Sequence, residues 1–262
     1  IEANETILDG DYKGDDSGYN YTDNAYHVVF SQNVSRSAIL DGFTIQSGYA
    51  DGTGGNRDKG AGILNISSSP TIKNCAIKFN TAPGKTAQGG GICNLQSSSP
   101  LIQDCSFFWN VAGMAGFAVP ADWGNGGAIF NQDSEPVIVN CQFSSCYANA
   151  GSYLHNVNTG SGLKIINSYF IGGITNMGGI FNNNSSPTII NSLIADITGN
   201  KGGGGFYNMN GSAPELINCT IMGNGCKNGS AGVYNLDGSN PILTNCILWN
   251  NSVFNYQTSQ YE

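Results

Sequence analysis

Charge is scarce in this sequence, and positive charge scarcer: Lys, Arg, Asp and Glu make up 11% of 262 residues, with 10 basic against 18 acidic side chains and a formal charge of −8. Such a chain lacks the basic footprint that a nucleic acid or an anionic membrane surface requires. It also lacks any uninterrupted apolar run of the ~20 residues needed to cross a bilayer, so no membrane insertion is expected. There are only two histidines, His27 and His155, and no Cys-x-x-Cys, which removes the usual signatures of a zinc site. The 3.6-residue rhythm of amphipathic helices is missing too, and apolar residues alternate instead.

What is present is repetition. A Gly-Gly-aliphatic-x-Asn phrase, a Ser/Pro turn and a Pro-x-Ile-x-Asn-Cys-x-Phe phrase recur together. The first Asn falls at Asn65, Asn94, Asn131, Asn156, Asn182, Asn208 and Asn235, at steps of 29, 37, 25, 26, 26 and 27 residues. Repeats of this length built from alternating positions predict short strands stacked into a solenoid, in which neighbouring turns share one interior that no single turn can bury alone. The expected fold is all-β, a single-stranded parallel β-helix of about eight rungs. Residues 1–37 start the β-helix and carry an acidic turn, 38–251 hold the repeats, and 252–262 form a C-terminal tail. Glycine is abundant at 37 residues, yet it falls in register and serves turns. The chain opens on Ile1, which reads as a processed or excised protein whose secretion signal lies outside it, so a secreted or cell-surface location is expected. Uncovered solenoid ends are open sheet edges, which allows end-to-end self-association.

Alternation assigns the columns. Ile72, Ile102, Ile138, Ile165, Ile189, Leu216 and Ile242 form an aliphatic file in the second half of the rung. Asn74, Asp104, Asn140, Asn167, Asn191, Asn218 and Asn245 follow at a bend. Asn tolerates the left-handed conformation there, and its amide can bond to its copies above and below. Five of the eight cysteines, Cys75, Cys105, Cys141, Cys219 and Cys246, share the next slot with Ser168 and Ser192, which reads as a buried column of unpaired thiols. Ile77, Phe107, Phe143, Phe170, Ile194, Ile221 and Leu248 then point inward again. In the first half, Leu64, Cys93, Phe130, His155, Phe181, Tyr207 and Tyr234 alternate with an inward aliphatic file, which predicts an outward strip rich in aromatics.

The unit from Gly90-Gly91-Ile92-Cys93-Asn94 to Pro100-Leu101-Ile102-Gln103-Asp104-Cys105 resembles repeats of the right-handed parallel β-helix proteins of the pectin-lyase-like superfamily. The second-half asparagine file resembles the asparagine ladder of the pectate-lyase-like members, and the Gly-Gly phrases resemble those of polymorphic outer-membrane adhesins. The resemblance implies a right-handed coil, and activities that range over lyases, hydrolases, adhesins and scaffolds. For a lyase it implies calcium-binding carboxylates and an Arg or Lys base along one sheet. No such set occupies the rungs here.

Candidate chemistry therefore falls on insertions. The connections from Ala50 to Lys59, Thr81 to Gln88 and Val111 to Asn125 are long, and equivalent loops stack on one side, so they are expected to form a wall beside the strip. That wall carries Asp51, Arg57, Asp58, Lys59, Lys85, Asp122 and Trp123. Asp58 and Asp122 are the candidates for an acid–base pair, and Arg57 and Lys59 for anion stabilisation; the plain alternative is solvated loop residues. Trp123, Phe130, Phe181, Tyr207 and Tyr234 are the candidate ligand-binding rings, as sugar-stacking platforms or as rings that pack on each other. His155 is expected to be a packed ring. Asp9, Asp11, Asp15 and Asp16 are close enough in sequence to hold calcium. The leading functional expectation is an extracellular module that binds a polysaccharide or cell-surface component in an adhesive or structural role. The alternatives are a polysaccharide lyase or glycoside hydrolase, whole or in part, and a self-assembling surface scaffold.

Overall fold

The computed structural model describes residues 5–18, 20–113, 124–255 and 260–261, and these form a parallel β-solenoid. Each rung visits four sheets in turn. The repeat around Asn94, for example, runs Ile92–Leu95 in sheet I, Leu101–Gln103 in sheet II, Ser106–Phe108 in sheet III and Val111–Ala112 in sheet IV. Sheet III has nine strands and the other three have eight. Pairing between rungs is parallel and, apart from a bulge between Thr175 and Met177 opposite Gly199 and Gly202, in register: Asn65 pairs with Asn94, Asn94 with Asn131, and so on to Asn235. The ladder begins with Thr6–Asp9 beside Phe43–Gln46 and reaches Ser252 and Val253 beside Gly225 and Cys226. The strand Gln260–Tyr261 then folds back antiparallel.

The interior is the stack of files that alternation assigns. Phe107, Phe143 and Phe170 lie ring on ring at 4.5 Å with their planes within 10°. The aliphatic file from Ile72 to Leu216 is buried with them, but its last member is Leu243 and not Ile242. Ile242 pairs with Glu215 and points outward, because the inward residue lies two positions after each proline, as Ile102 does after Pro100. All eight cysteines are free. The thiols of Cys75, Cys105 and Cys141 donate to backbone carbonyls two residues back and one rung below, which satisfies them without a bridge.

Asparagine serves twice in each rung. The second-half file adopts the left-handed conformation, with φ between 49° and 53° from Asn74 to Asn245, and its amides bond along the surface, as from Asn140 Nδ2 to Asp104 Oδ1 at 3.0 Å. The earlier rung has Gly42 in that slot, at φ 79°. The first-half file makes the tighter ladder. Asn65 through Asn208 are fully buried, and each Nδ2 donates to the Oδ1 of the next rung at 2.8–2.9 Å as far as Asn235. A serine file closes beside it, with the Ser98 amide donating to Ser134 Oγ and the Ser98 hydroxyl to the Leu95 carbonyl. A buried amide is tolerable only when paired, and stacking identical rungs supplies the partner.

Candidate functional site

The outward aromatic strip does leave the main core, but it is not open to a ligand. Phe130, Phe181 and Tyr207 are buried and Tyr234 is half-buried. The rings stack on one another, Phe130 on His155 at 5.1 Å, His155 on Phe181 at 4.5 Å and Phe181 on Tyr207 at 5.2 Å. Their cover comes from two sides. Ile66, Leu95, Val157 and Met209 flank them on the same sheet face. The Gly-Gly segments cross the other side in close contact: at Gly89 (φ 69°) an added Cβ would lie 2.2 Å from the Ile92 carbonyl oxygen, and at Gly178 (φ 60°) it would lie 2.8 Å from Tyr207 Cβ. Only glycine fits both the conformation and the space. The strip is a second, smaller core outside the tube.

His155 is the polar member of that core. Its Nδ1 lies 3.3 Å from the Ala150 carbonyl, and burial holds its pKa down at about 4 against that hydrogen bond, so the ring is neutral. Among the described residues its one hydrogen-bond partner is that carbonyl, in keeping with a packed ring.

The bases of the long connections stack. Lys59 pairs with Gln88, Gln88 with Asn125 and Asn125 with Ala150 in single parallel bridges, which places the loop bases one over the next. Asp58 is held by Lys59 Nζ at 2.9 Å and by the Thr86 hydroxyl at 2.8 Å. Burial pushes its carboxyl up, but those two hydrogen bonds outweigh it and leave the pKa below the ordinary value, the wrong direction for a general acid. Arg57 lies over the Tyr26 ring at 5.5 Å, and Asp51 is exposed. Asp122 and Trp123 lie outside the described residues. Below the loop base, Asn56, Lys59, Leu95, Gln96, Gln132 and Asp133 line a cleft of about 220 Å³. Three amides, one cation and one carboxylate converge there, a set that suits hydroxyl groups better than a single charge.

In the N-terminal turn the carboxylates divide. Asp11, Asp15 and Asp23 each bring one oxygen within 4.8 Å of the others, the spacing a cation with oxygen ligands needs. Asp9 and Asp16 turn elsewhere: Asp9 accepts from Gln46 Nε2 at 2.7 Å and Asp16 from Asn24 Nδ2 at 3.1 Å. The expected set of four is thus two of its members plus Asp23, which a hydrogen bond from the Lys13 amide at 3.0 Å helps to place. Burial and the neighbouring carboxylates raise the Asp16 pKa despite the bond from Asn24.

A further feature lies on sheet III. Asn74, Asp104, Asn140, Ser106 and Gln142 line a shallow groove of about 390 Å³ along the surface asparagine ladder. Across the same three-residue strands, Phe79, Phe108, Trp109 and Tyr147 form an aromatic corner. The signal for it was in the sequence, since Phe79 and Trp109 occupy a repeat slot that later rungs fill with Ser145, Gly172, Asp196, Gly223 and Asn250.

The family described as right handed beta helix region matches residues 17–194. No curated protein and no solved structure matches this chain.

Proposed function

Since the chain belongs to the right-handed β-helix family, we propose that it binds carbohydrate on the flank of its solenoid, at a cell surface or outside the cell, in an adhesive or structural role. The observation that carries this reading is the cleft lined by Asn56, Lys59, Gln96, Gln132 and Asp133, three amides beside a lysine paired with Asp58 and one carboxylate, on a rigid stack of rungs. Backbone register fixes these side chains relative to each other, so binding does not require ordering them. The hydrolase or lyase alternative needs a carboxyl that stays protonated or a free base. Asp58 is a depressed carboxyl tied to Lys59, and this supports recognition over turnover.

The test is a panel of soluble and immobilised polysaccharides, with wild type compared against Lys59→Ala and Gln96→Ala. Binding to at least one glycan, weakened severalfold in both variants and without release of reducing or unsaturated ends, is expected. Product release would establish the enzyme, and no binding by wild type would remove the carbohydrate reading. The scaffold alternative predicts self-association of the protein in solution. Sedimentation showing concentration-dependent end-to-end growth would favour it.

A further inference from the structure

The corner between sheets III and IV is built from residues in the left-handed conformation. Ser47, Ser145, Asp196 and Asn250 have φ between 50° and 58°, and Gly172 and Gly223 take 70° and 64°. Small or locally hydrogen-bonding side chains adopt this conformation readily. On two adjacent rungs the same slot holds Phe79, at φ 56°, and Trp109, at 52°. A bulky ring in this region is a true outlier, and it persists only where the surroundings impose it.

Buried asparagines impose it. Asn80 Nδ2 donates to the carbonyls of Ile45 and Lys78 and to Asn110 Oδ1, each at 3.0 Å, and Asn110 Nδ2 donates to the Ile77 carbonyl at 2.7 Å. The backbone is thus held from beneath, while the rings above remain only half-buried. Phe79 is 48% exposed, Trp109 44% and Phe108 40%. They pack against one another, Phe79 edge-on to Phe108 at 5.4 Å and Trp109 edge-on to Tyr147 at 5.2 Å, which orients the rings and leaves part of each exposed.

The surroundings are polar, and the one carboxylate in the groove lining, Asp104, is satisfied by neutral amides and keeps its charge. Lys78 is paired with Glu5 at 3.3 Å, and Asp104 accepts from Gln103 Nε2 and Asn140 Nδ2. From Ser106 to Ile171 the outward positions of sheet III hold Ser106, Phe108, Gln142, Ser144, Tyr169 and Ile171, none of them ionisable near neutrality. On each strand the groove-side residue and the corner-side residue share one face, two positions apart, as Ser106 and Phe108 do. Ring faces on one side and amides and hydroxyls on the other match a chain of uncharged sugars, and the lone negative charge of Asp104 disfavours an anionic one.

We propose that Phe79, Phe108, Trp109 and Tyr147, with the adjoining groove, form a platform for a neutral glycan running across the rungs. The proposal rests on the carbohydrate reading and adds a second face and a ligand class to it. The strain is kept because the rings serve a ligand.

The test uses Phe79→Asn and Trp109→Asn, singly and together. Asn is the residue the last rung carries at this slot, so the fold accommodates it. Binding of xylan, galactomannan and a soluble β-glucan is measured by affinity electrophoresis and calorimetry, with polygalacturonate as the anionic comparison. At least one neutral polymer is expected to bind wild type, and the double variant is expected to bind it at least tenfold more weakly while unfolding at a higher temperature. Neutral-glycan affinity within twofold of wild type in the double variant would remove the platform and leave carbohydrate binding at the loop cleft standing. Binding of polygalacturonate alone would likewise overturn the platform, and no binding of any polymer by wild type would remove both. A lower unfolding temperature in the variants would mean that the rings are kept for packing and would overturn the argument from strain.

Discussion

Acidification should loosen this solenoid at His155 before any carboxylate is consulted. The ring is stacked between Phe130 and Phe181, and burial depresses its pKa from the ordinary 6.5 to about 4. A histidine depressed in the folded state contributes its stability above the unfolded pKa and loses it as pH falls through the interval from 6.5 to 4. At about 1.36 kcal/mol per unit the whole loss is about 3 kcal/mol, of which roughly 2.5 kcal/mol is gone by pH ~4.5. Urea unfolding at pH ~8 and at pH ~4.5, for wild type and His155→Phe, isolates this contribution. The phenyl ring continues the column and cannot protonate, so the variant should be roughly 2.5 kcal/mol less sensitive to the pH change, whatever constant offset it pays for losing the Ala150 hydrogen bond. Because the chain has only two histidines, the imidazole titration can also be followed directly by NMR, with the His155 midpoint expected well below that of a free imidazole. Equal pH sensitivity of the two proteins, or a His155 midpoint near 6.5, would refute the reasoning.

Three further outcomes follow from the same geometry. Asn156→Ala leaves Asn131 Nδ2 without its acceptor and Asn182 Oδ1 without its donor inside the tube, so thermal and urea unfolding should report a loss of roughly 3 kcal/mol. Asp16→Asn should raise stability, since burial beside other carboxylates penalises the charged form; the gain should be present near neutral pH and shrink as acid protonates wild type, and a destabilised variant would contradict it. Under native conditions a thiol reagent should modify Cys246 first and the other cysteines only on unfolding, because those are buried, and burial pushes the Cys146 thiol, for one, up to about 12.

Much of the fold was legible because a solenoid writes its contacts into the sequence period. Phe107, Phe143 and Phe170 stack because they share a slot, and Asn74 and its copies take the left-handed bend that their residue type permits. The slip at Ile242 shows the limit of matching apolar with apolar, since two aliphatic residues follow Pro241 and only the spacing from proline says which faces in. Exposure was less legible than direction. Phe130 and Tyr207 face outward as alternation requires, yet they are buried, because their cover comes from glycine segments and neighbouring rungs that no single repeat displays. In the acidic turn, Asp23 replaces Asp9 and Asp16 beside Asp11 and Asp15 because the chain doubles back, which residue spacing along the turn cannot convey.

The two asparagine ladders also say what kind of departure from the repeat is informative. Apolar files are permissive: Ile, Leu and Phe succeed one another in the slot of Ile63, and each is fully buried. The ladders are not, because an amide must meet its copy at hydrogen-bond distance or stand unpaired in the interior. They also run in opposite senses: the buried ladder donates toward the C-terminal rungs, whereas the surface one, from Asn140 to Asp104 and from Asn167 to Asn140, donates back. Register is therefore fixed from inside by polar groups, and a one-residue slip would orphan every rung at once. With register secured there, outer positions are released from structural duty, and a substitution that costs backbone strain on the outside must be explained by something other than the stack. Phe79 and Trp109 are such substitutions, while the rings of the sheet I strip, relaxed and covered, are not.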